Sequence, residues 1–226
     1  MGNKFEIIVT EDGSNTLFVS DLDEYYHSVY GAVQESRYVY IDAGLKLIGG
    51  EFQHIQILEI GFGTGLNALL TLLEIKDSQL IVDYDSIEAY PLKEAIWSRL
   101  NYPDFFDDPL VSALFTKMHS TDWGQRIQLD KKFTLQKIHA KLEDMMVSES
   151  KYHLVYFDAF SPDVQPELWT TEIFRNIYGM MQTSGVLVTY SAKGAVRRAM
   201  ESAGFKVERL PGPPGKREML RGKKEC

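Results

Sequence analysis

The chain has 226 residues, 44% of them hydrophobic, which suits one α/β domain with an appended piece better than two independent domains. A net charge of −8 excludes a protein that coats nucleic acid over its whole surface. The longest apolar runs, such as ALLTLL, are too short to cross a bilayer, and the N-terminus lacks the pattern of a signal peptide. The single cysteine, Cys226, excludes a disulfide framework, so we expect a soluble protein of the reducing cytoplasm.

Charge is unevenly distributed along the chain. The segment from Lys193 to Cys226 has ten Lys and Arg against four Glu, a net +6. Residues 1–192 have 14 basic against 28 acidic residues, a net −14. A basic C-terminal region on an acidic body is expected when one face meets a polyanion, although a solvated basic tail would have the same composition.

The first 50 residues are predicted to form a β-rich N-terminal extension. KFEIIVT and TLFVS have the pattern of short strands, and EDGS and DAGL contain turn residues. We interpret ESRYVYIDA as a further strand.

From residue 51 onward, predicted strands alternate with predicted helices. The strands are predicted at 55–60, 84–89, 133–139 and 152–157. The first is followed by a helix that starts near Gly65, and the second by a helix at 92–100. The third is followed by a helix that runs toward Val147, and the fourth by a helix within 172–181. The C-terminal part adds the strand GVLVTYSA, the helix GAVRRAMESAG and the strands FKVERL and REMLRG. This alternation predicts one α/β unit, residues 51–226, built on a doubly wound, mostly parallel sheet. Such sheets bind ligands beyond the carboxyl ends of their strands, where the strand order reverses.

Three glycines follow the first of these strands in LEIGFGTG. Gly61 allows a sharp turn, and Gly63 and Gly65 remove side chains that would keep a ligand away from the backbone. The spacing is G-x-G-x-G, whereas dinucleotide-binding turns have G-x-G-x-x-G. Glu59 would repel a phosphate but suits a cationic ligand. The turn resembles the S-adenosylmethionine turn of class I methyltransferases.

Two acidic residues end later strands. Glu88, in SIEAYPL, lies at the position where a nucleoside-binding sheet has an acid that accepts hydrogen bonds from ribose hydroxyls. Alternatively, Glu88 is an exposed residue at the end of a strand. Asp158, in YFDAFSPD, either faces a ligand or caps the next helix, a task for which Ser161 and Asp163 are equally suited. A carboxylate beside a methyl donor suits an amine substrate, because an alkylamine titrates near about 10.4 and must lose a proton.

Six segments occur in the order, and roughly at the intervals, found in the MnmC family: ESRYVYIDAGL, GFGTGLNALLTL, IEAYPL, YFDAFSPDVQPELWT, TYSAKGAVRRAMESAGF and GKREMLRG. From about Phe18 onward the chain resembles the methyltransferase domain of these bifunctional tRNA 5-methylaminomethyl-2-thiouridine biosynthesis proteins. The DAFSP segment with its following P-x-W, and the terminal KREML, are more specific than the glycine turn.

The resemblance implies a class I methyltransferase fold. It also implies that S-adenosylmethionine methylates the primary amine of 5-aminomethyl-2-thiouridine at the tRNA wobble position, giving the 5-methylaminomethyl form. Larger members of the family carry a second, FAD-dependent domain that generates this amine. The sequence contains no second glycine-rich dinucleotide turn, so we expect no FAD and no oxidase activity, and another enzyme or the preceding pathway must supply the amine.

The resemblance further implies roles for individual residues. Asp158 matches the carboxylate that receives the substrate amine. The donor site is expected to include Glu59, Gly61, Gly63, Gly65, Asn67 and Glu88. Apart from the resemblance, the segment from His139 and Ala140 to Leu142 is expected to line the adenine pocket. The substrate nucleoside and the tRNA are expected to contact Tyr26, Glu35, Phe160, Pro162, Trp169, Arg197, Arg198, Lys216 and Arg217. Of these, Phe160, Pro162 and Trp169 are expected to shape the loop after Asp158, and Phe160 and Trp169 either pack around a base or fill the core.

One segment departs from the family pattern. Where the family often has G-D to hold the adenine amino group, this chain has KIHAKLED, with Ala140 and Lys141 at the match and Glu143 and Asp144 slightly later. Either the alignment shifts by a few residues or backbone groups hold the adenine.

Two further expectations concern metals and alternative functions. The five histidines lack the spacing of metal ligands, and methyl transfer from a sulfonium needs no metal, so we expect no metal site. An enzyme that methylates or aminopropylates a small amine is one alternative. An RNA-binding module that has kept the fold without the chemistry is another.

Overall fold

The computed structural model of the protein describes residues 4–145 and 150–225. The chain begins with a small antiparallel sheet in which β2 (Asn15–Val19) lies between β1 (Phe5–Val9) and β3 (Glu24–Tyr25). Leu17 and Val19 of β2 are buried. This sheet confirms the predicted β-rich extension for the first half of its length, whereas a domain boundary at residue 50 stays a prediction.

The strand predicted at ESRYVYIDA is wrong, because these residues are helical. Helix α1 (Ala32–Ser36) continues into a π-helical segment (Arg37–Leu45) and then into α2 (Lys46–Ile48). Tyr40 is buried in this segment, and a Cβ added to Gly44 would lie 3.1 Å from the Val188 side chain of the central sheet. Close packing on the sheet therefore overrides the β propensity of the tyrosine, valine and isoleucine residues.

The central sheet has eight strands: β4 (His54–Ile60), β5 (Ile81–Glu88), β6 (Arg126–Asp130), β7 (Phe133–His139), β8 (Tyr152–Phe157), β9 (Met181–Thr189), β10 (Lys206–Pro211) and β11 (Glu218–Lys223). Their order is β10-β11-β9-β8-β4-β5-β7-β6. The strands from β9 to β7 are parallel, and antiparallel pairs complete both edges. The strand order reverses between β4 and β8, so the predicted doubly wound, mostly parallel sheet is confirmed.

Besides the π-helical segment, the described residues form these helices on the sheet or at its edge: α3 (Leu66–Glu74), α4 (Glu94–Trp97), α5 (Leu110–Ser120), α6 (Thr171–Met180) and α7 (Gly194–Ala203). The predictions of α3, α6 and α7 are confirmed, and α4 is shorter than the predicted 92–100. Helix α5 and strand β6 were not predicted. The helix predicted toward Val147 is a short 3-10 turn at Leu142–Asp144, and the rest of that prediction lies outside the described residues.

Both faces of the central sheet are buried, as β4 illustrates. Ile55 and Ile57 belong to the core on the face covered by α3 and the π-helical segment, whereas Leu58 and Ile60 belong to the core on the face covered by α6 and α7. By the same alternation, Glu59 points to the α3 face and is fully buried there. In the described part of the chain, every helix is too short or too polar to span a membrane.

Candidate active site

The carboxyl ends of β4, β5 and β8 meet where the strand order reverses. The backbone N–H of Asp158, just after β8, donates to the Ile60 carbonyl of β4 over 3.0 Å. The N–H of Gly61, just after β4, donates to the Ile87 carbonyl of β5 over 2.9 Å. A cavity of about 820 Å³ opens at these strand ends. Its position is the one that a parallel sheet predicts, and its size is typical of small-molecule sites.

The cavity brings together more than half of the predicted site residues. Those that line it are Tyr26, Glu35, Gly61, Gly63, Asn67, Glu88, Ala140, Asp158, Phe160 and Lys216. Those that lie outside the lining are Glu59, Gly65, His139, Pro162, Trp169, Arg197, Arg198 and Arg217.

Gly61 and Gly63 adopt backbone conformations that favour glycine, with φ angles of +93° and +47°. Both face protein atoms at close range. A Cβ added to Gly61 would lie 2.6 Å from the Asp158 carbonyl oxygen, and one added to Gly63 would lie 3.1 Å from the Tyr26 ring. The turn is therefore tight in part because it packs against its own protein. Gly61 and Gly63 also line the cavity, and a contact between Gly63 and a ligand stays a prediction.

Gly65 starts α3 and faces away from the cavity. A Cβ added to it would lie 2.8 Å from Nε2 of His119, and this nitrogen is 3.0 Å from the Thr64 carbonyl oxygen. Burial lowers the pKa of His119 to about 3, so a neutral ring donates this hydrogen bond. The absence of a side chain on Gly65 leaves room for His119, which supports the turn, and a contact between Gly65 and a ligand stays a prediction.

Glu88 lies half-buried at the cavity wall. Its Oε2 accepts the N–H of Gly63 over 2.9 Å, and its Oε1 accepts the N–H of Tyr90 over 2.7 Å. Each carboxylate oxygen retains a lone pair that can accept a further hydrogen bond. The geometry fits a role at the ribose hydroxyls, and it shows in addition that Glu88 anchors the glycine turn.

Asp158 is held at the same wall by two side chains. The Tyr40 hydroxyl donates to Oδ1 over 2.6 Å, and the Asn67 amide donates to Oδ2 over 2.7 Å. Burial raises the pKa of Asp158 to about 6, although both hydrogen bonds lower it. The cap of α6 is Thr170, so Asp158 is not that cap. Asp158 is therefore a fixed carboxyl group and a stronger base than an exposed aspartate.

Glu59 does not reach the cavity. Its side chain is fully buried, and its Oε2 accepts a hydrogen bond from the Ser86 hydroxyl over 2.6 Å. The predicted direct contact with a cationic ligand would require Glu59 to leave this position. Asn67 does line the cavity, but its amide nitrogen binds Asp158.

Glu35 and Lys216 form an ion pair at the wall. Nζ of Lys216 lies 2.6 Å from Oε1 of Glu35 and 4.0 Å from the centre of the Tyr190 ring. The N–H of Ser28 donates to the other oxygen of Glu35 over 2.7 Å. Since Glu35 is in α1 and Lys216 is in the turn between β10 and β11, the pair links the N-terminal segment to the C-terminal hairpin at the site.

Aromatic residues shape the loop that follows Asp158. The rings of Tyr26 and Phe160 pack edge to face at the wall, with centroids 4.9 Å apart. Trp169 is buried, and its Nε1 donates to the Phe160 carbonyl over 2.8 Å. Trp169 therefore supports the loop from the core, which is one of the two roles expected for it, and a contact with the substrate stays a prediction. Pro162 is in the loop but outside the lining.

The segment after β7 also borders the cavity. Ala140 and residues 141–143 line it. His139 is exposed, and its Nε2 lies 3.2 Å from the Ala89 carbonyl oxygen, so its predicted place in the donor pocket is not supported. Of the two acids in KIHAKLED, Glu143 is at the cavity wall and Asp144 is not.

Most of the basic C-terminal residues have acidic partners. The ion pairs are Lys193 with Asp163, Arg197 with Glu201, Lys206 with Glu225, Arg209 with Glu218, Lys216 with Glu35, and Arg221 with Glu208. Arg198 and Arg217 are exposed. The pairing weakens the inference, drawn from charge alone, that this region is one polyanion-binding face.

Tyr40 and Tyr190, which donate hydrogen bonds to Asp158 and Ala159, were not predicted. Tyr190 lines the cavity and donates from its hydroxyl to the Ala159 carbonyl over 2.9 Å. It directly follows β9, and the rule that ligands bind at strand ends could have identified it. No sequence feature identified Tyr40, because its segment was interpreted as a strand in the extension. The π-helical conformation of this segment places the Tyr40 hydroxyl on Asp158.

Comparison with known proteins agrees with this geometry. The chain is 30% identical over 208 residues to the tRNA 5-methylaminomethyl-2-thiouridine biosynthesis bifunctional protein MnmC of Campylobacter hominis, covering 91% of the chain and 31% of that relative. It is 31% identical over 221 residues to the protein of the same name from Pseudomonas fluorescens strain Pf0-1, covering 88% and 32%. The chain thus spans about a third of the length of these relatives.

Solved structures resemble the fold. The crystal structure of MNMC2 from Aquifex aeolicus superimposes with a TM-score of 0.79 at 27% identity, covering 98% of this chain and 70% of that one. Spermidine synthase from Thermotoga maritima, with a TM-score of 0.52 and 13% identity, shares the fold alone.

A family model also matches the sequence directly. The model describes S-adenosyl-L-methionine-dependent methyltransferases and matches residues 103–225, which is more than half of the chain. Together with the central sheet and the cavity at its strand ends, this match decides the family. The chain belongs to the S-adenosyl-L-methionine-dependent methyltransferases.

Proposed function

We propose that this chain transfers the methyl group of S-adenosylmethionine to the primary amine of 5-aminomethyl-2-thiouridine at the tRNA wobble position, forming 5-methylaminomethyl-2-thiouridine. The relatives named above are proteins of the biosynthesis of this nucleoside. The main support for the proposal is the position of Asp158, whose carboxylate is held by Tyr40 and Asn67 at the cavity wall beside the glycine turn. A fixed acid in this place suits a substrate that is an amine.

The cavity fits the donor that the family uses. Glu88 has lone pairs for ribose hydroxyls, and Gly61 and Gly63 bring the backbone to the wall. Ala140, whose N–H donates to the Glu88 carbonyl over 3.2 Å, and Glu143 would border the base. When bound, S-adenosylmethionine supplies a methyl group on a sulfonium, whose sulfur leaves as a neutral thioether.

The residues of the chain must hold the amine in line and take up its proton. An alkylamine is protonated at neutral pH, since its pKa resembles that of lysine, about 10.4. Asp158, with its pKa raised to about 6, is mostly ionised at that pH and attracts the ammonium group. It accepts one proton at a carboxylate oxygen, which frees the nitrogen lone pair for attack on the methyl carbon. Asp158 then releases this proton to solvent, and the methylated nitrogen leaves as a secondary ammonium.

The wall near Asp158 suits an unstacked nucleoside. Tyr26 and Phe160 offer aromatic surface to a base, and RNA bases that leave their stack are commonly held on such rings. The exposed cations Lys141, Arg198 and Arg217 are candidates for contact with the tRNA backbone. Binding through them would weaken as the salt concentration rises.

One observation favours a second candidate, methylation of a small amine. The basic C-terminal residues are mostly paired with acids, which leaves less positive charge for RNA than the sequence predicts. A small cationic amine would still be attracted by Asp158.

The test is methyl transfer from labelled S-adenosylmethionine to three acceptors: tRNA carrying 5-aminomethyl-2-thiouridine, the same tRNA without that modification, and a small polyamine. We expect label in 5-methylaminomethyl-2-thiouridine after digestion of the first tRNA to nucleosides, and none in the second. Label in the polyamine alone would replace the proposal by the second candidate.

A further inference from the structure

A second acidic residue, Glu59, lies close to Asp158 without reaching the cavity. In the parallel register of the sheet, Glu59 is flanked by Ser86 of β5 and by Tyr156 of β8, two residues before Asp158. The amide nitrogen of Asn67 in α3 donates to Asp158, and burial, together with the negative charge of Asp158, raises the pKa of Glu59. Glu59 and Asp158 are therefore close enough for their charges to interact.

The surroundings of Glu59 are unfavourable for a negative charge. The side chain is fully buried, and the titratable groups that face it are Tyr84 from β5, Tyr156 from β8 and Asp158. None of these is a cation. Both tyrosines have pKa values raised above the ordinary value by burial, so Asp158 is the one neighbour whose charge changes near neutral pH. Ionised Glu59 would then be a buried charge that these neighbours do not neutralise, stabilised by the Ser86 hydroxyl and lying near a second carboxylate.

The hydrogen bonds around Glu59 also favour its protonated form. Oε2 of Glu59 accepts from Ser86, but within the described part of the chain Oε1 of Glu59, Oδ1 of Asn67 and the Tyr84 hydroxyl have no hydrogen-bond partner. Oδ1 of Asn67 can only accept. The Tyr84 hydroxyl can donate to one of the two acceptors, Oε1 of Glu59 or Oδ1 of Asn67, and a proton on Oε1 of Glu59 would supply a second donor for this group.

We propose that Glu59 is a positioning residue that stays protonated in the working pH range, so that the single negative charge of the Glu59–Asp158 pair lies on Asp158, where the amine binds. The neutral acid keeps the amide nitrogen of Asn67 directed to Asp158. Ionisation of Glu59 would draw this nitrogen toward Glu59 and place a second negative charge beside Asp158. The catalytic part of this inference rests on the proposed function, whereas the protonation state does not.

The first experiment compares pH profiles of kcat/KM for the wild type, Glu59→Gln and Glu59→Ala. Because burial raises the pKa of Glu59 to about 8, the ratio of wild type to Glu59→Gln should fall about tenfold between pH 7 and pH 9. The substrate amine titrates in the same way with both enzymes, so its effect on kcat/KM cancels in the ratio of wild type to Glu59→Gln. Glu59→Ala should lose at least about tenfold in kcat at pH 7, and the isosteric glutamine should restore most of it. A ratio that is constant with pH, or a folded Glu59→Gln variant as impaired as Glu59→Ala, would overturn the proposal.

The second experiment needs neither donor nor tRNA. Infrared spectroscopy of the free protein at pH 7 should detect the carbonyl stretch of an undissociated carboxylic acid in the wild type and in Asp158→Asn, but not in Glu59→Gln. Absence of the band from the wild type, or its loss in Asp158→Asn alone, would refute the protonation of Glu59. If the band behaves as expected while no acceptor is methylated, the proposed function fails and the protonation state stands.

Discussion

Asp158→Asn should lower kcat/KM for methyl transfer at least about hundredfold, because the asparagine amide cannot accept the proton of the substrate ammonium. The cavity and the glycine turn stay in place, so the affinity for S-adenosylmethionine should change much less. Steady-state kinetics and calorimetric titration of the donor measure the two quantities separately.

Asp158→Asn should also make the folded protein more stable than the wild type above pH 6. The pKa of Asp158 is raised from the ordinary 3.8 to about 6, so its folded form binds a proton more tightly than its unfolded form. The stability that this group contributes is present below about pH 4 and is lost as the pH rises toward 6. Asparagine does not titrate, so the variant should gain on the order of 1–3 kcal/mol over the wild type at pH 7–8, and this gain should vanish near pH 4.

Asp163→Asn is the matched control, since Asp163 belongs to the same loop and its side chain is 78% exposed. It should keep wild-type activity and should not gain stability with rising pH. A folded Asp158→Asn variant with wild-type kcat/KM would contradict the role of Asp158 as base. Equal losses of activity in both variants would mean that the loop, and not the carboxylate, is required.

Gly61→Ala should cost about 2–4 kcal/mol in the free energy of unfolding. Gly61 has a φ angle of +93°, and the added Cβ would lie 2.6 Å from the backbone carbonyl oxygen of Asp158. Either the turn or the start of the Asp158 loop must move, so donor binding and kcat/KM should fall as well. Urea denaturation measures the first effect, and titration with S-adenosylmethionine measures the second.

Gly50→Ala is the control for this substitution. A Cβ added to Gly50 meets nothing within 4 Å, so its effect on stability should stay within about 0.5 kcal/mol. If Gly61→Ala proves as mild as Gly50→Ala, then the close contact between the turn and Asp158 is not a feature of the protein in solution.

The parts of the site that follow parallel strands could be predicted from the sequence. A glycine-rich turn after β4, Glu88 at the end of β5 and Asp158 after β8 must lie at one edge of the sheet once the strands are parallel, and the structure places all three at the cavity. The sequence also marks the ends of two predicted helices, since Thr170 caps the start of α6 and Gly204 follows α7.

The parts that depend on tertiary packing could not be predicted. Tyr40 lies in a run of β-branched and aromatic residues, and only its burial against β8 and β9 makes the run helical and brings the hydroxyl to Asp158. The reasons for the glycines were also hidden, because the Asp158 carbonyl and His119 that they accommodate come from distant segments. Ion pairs such as Arg221 with Glu208 join different strands, so a count of charge along the chain overstated the exposed positive charge.

The measurement that tests the central claim most directly is a crystal structure of the protein with S-adenosylmethionine. We expect the donor in the cavity at the ends of β4, β5 and β8, with its ribose hydroxyls on Glu88 and its methyl group facing Asp158. A donor bound outside this cavity, or bound within it with the methyl group directed away from Asp158, would contradict the proposed site and its base.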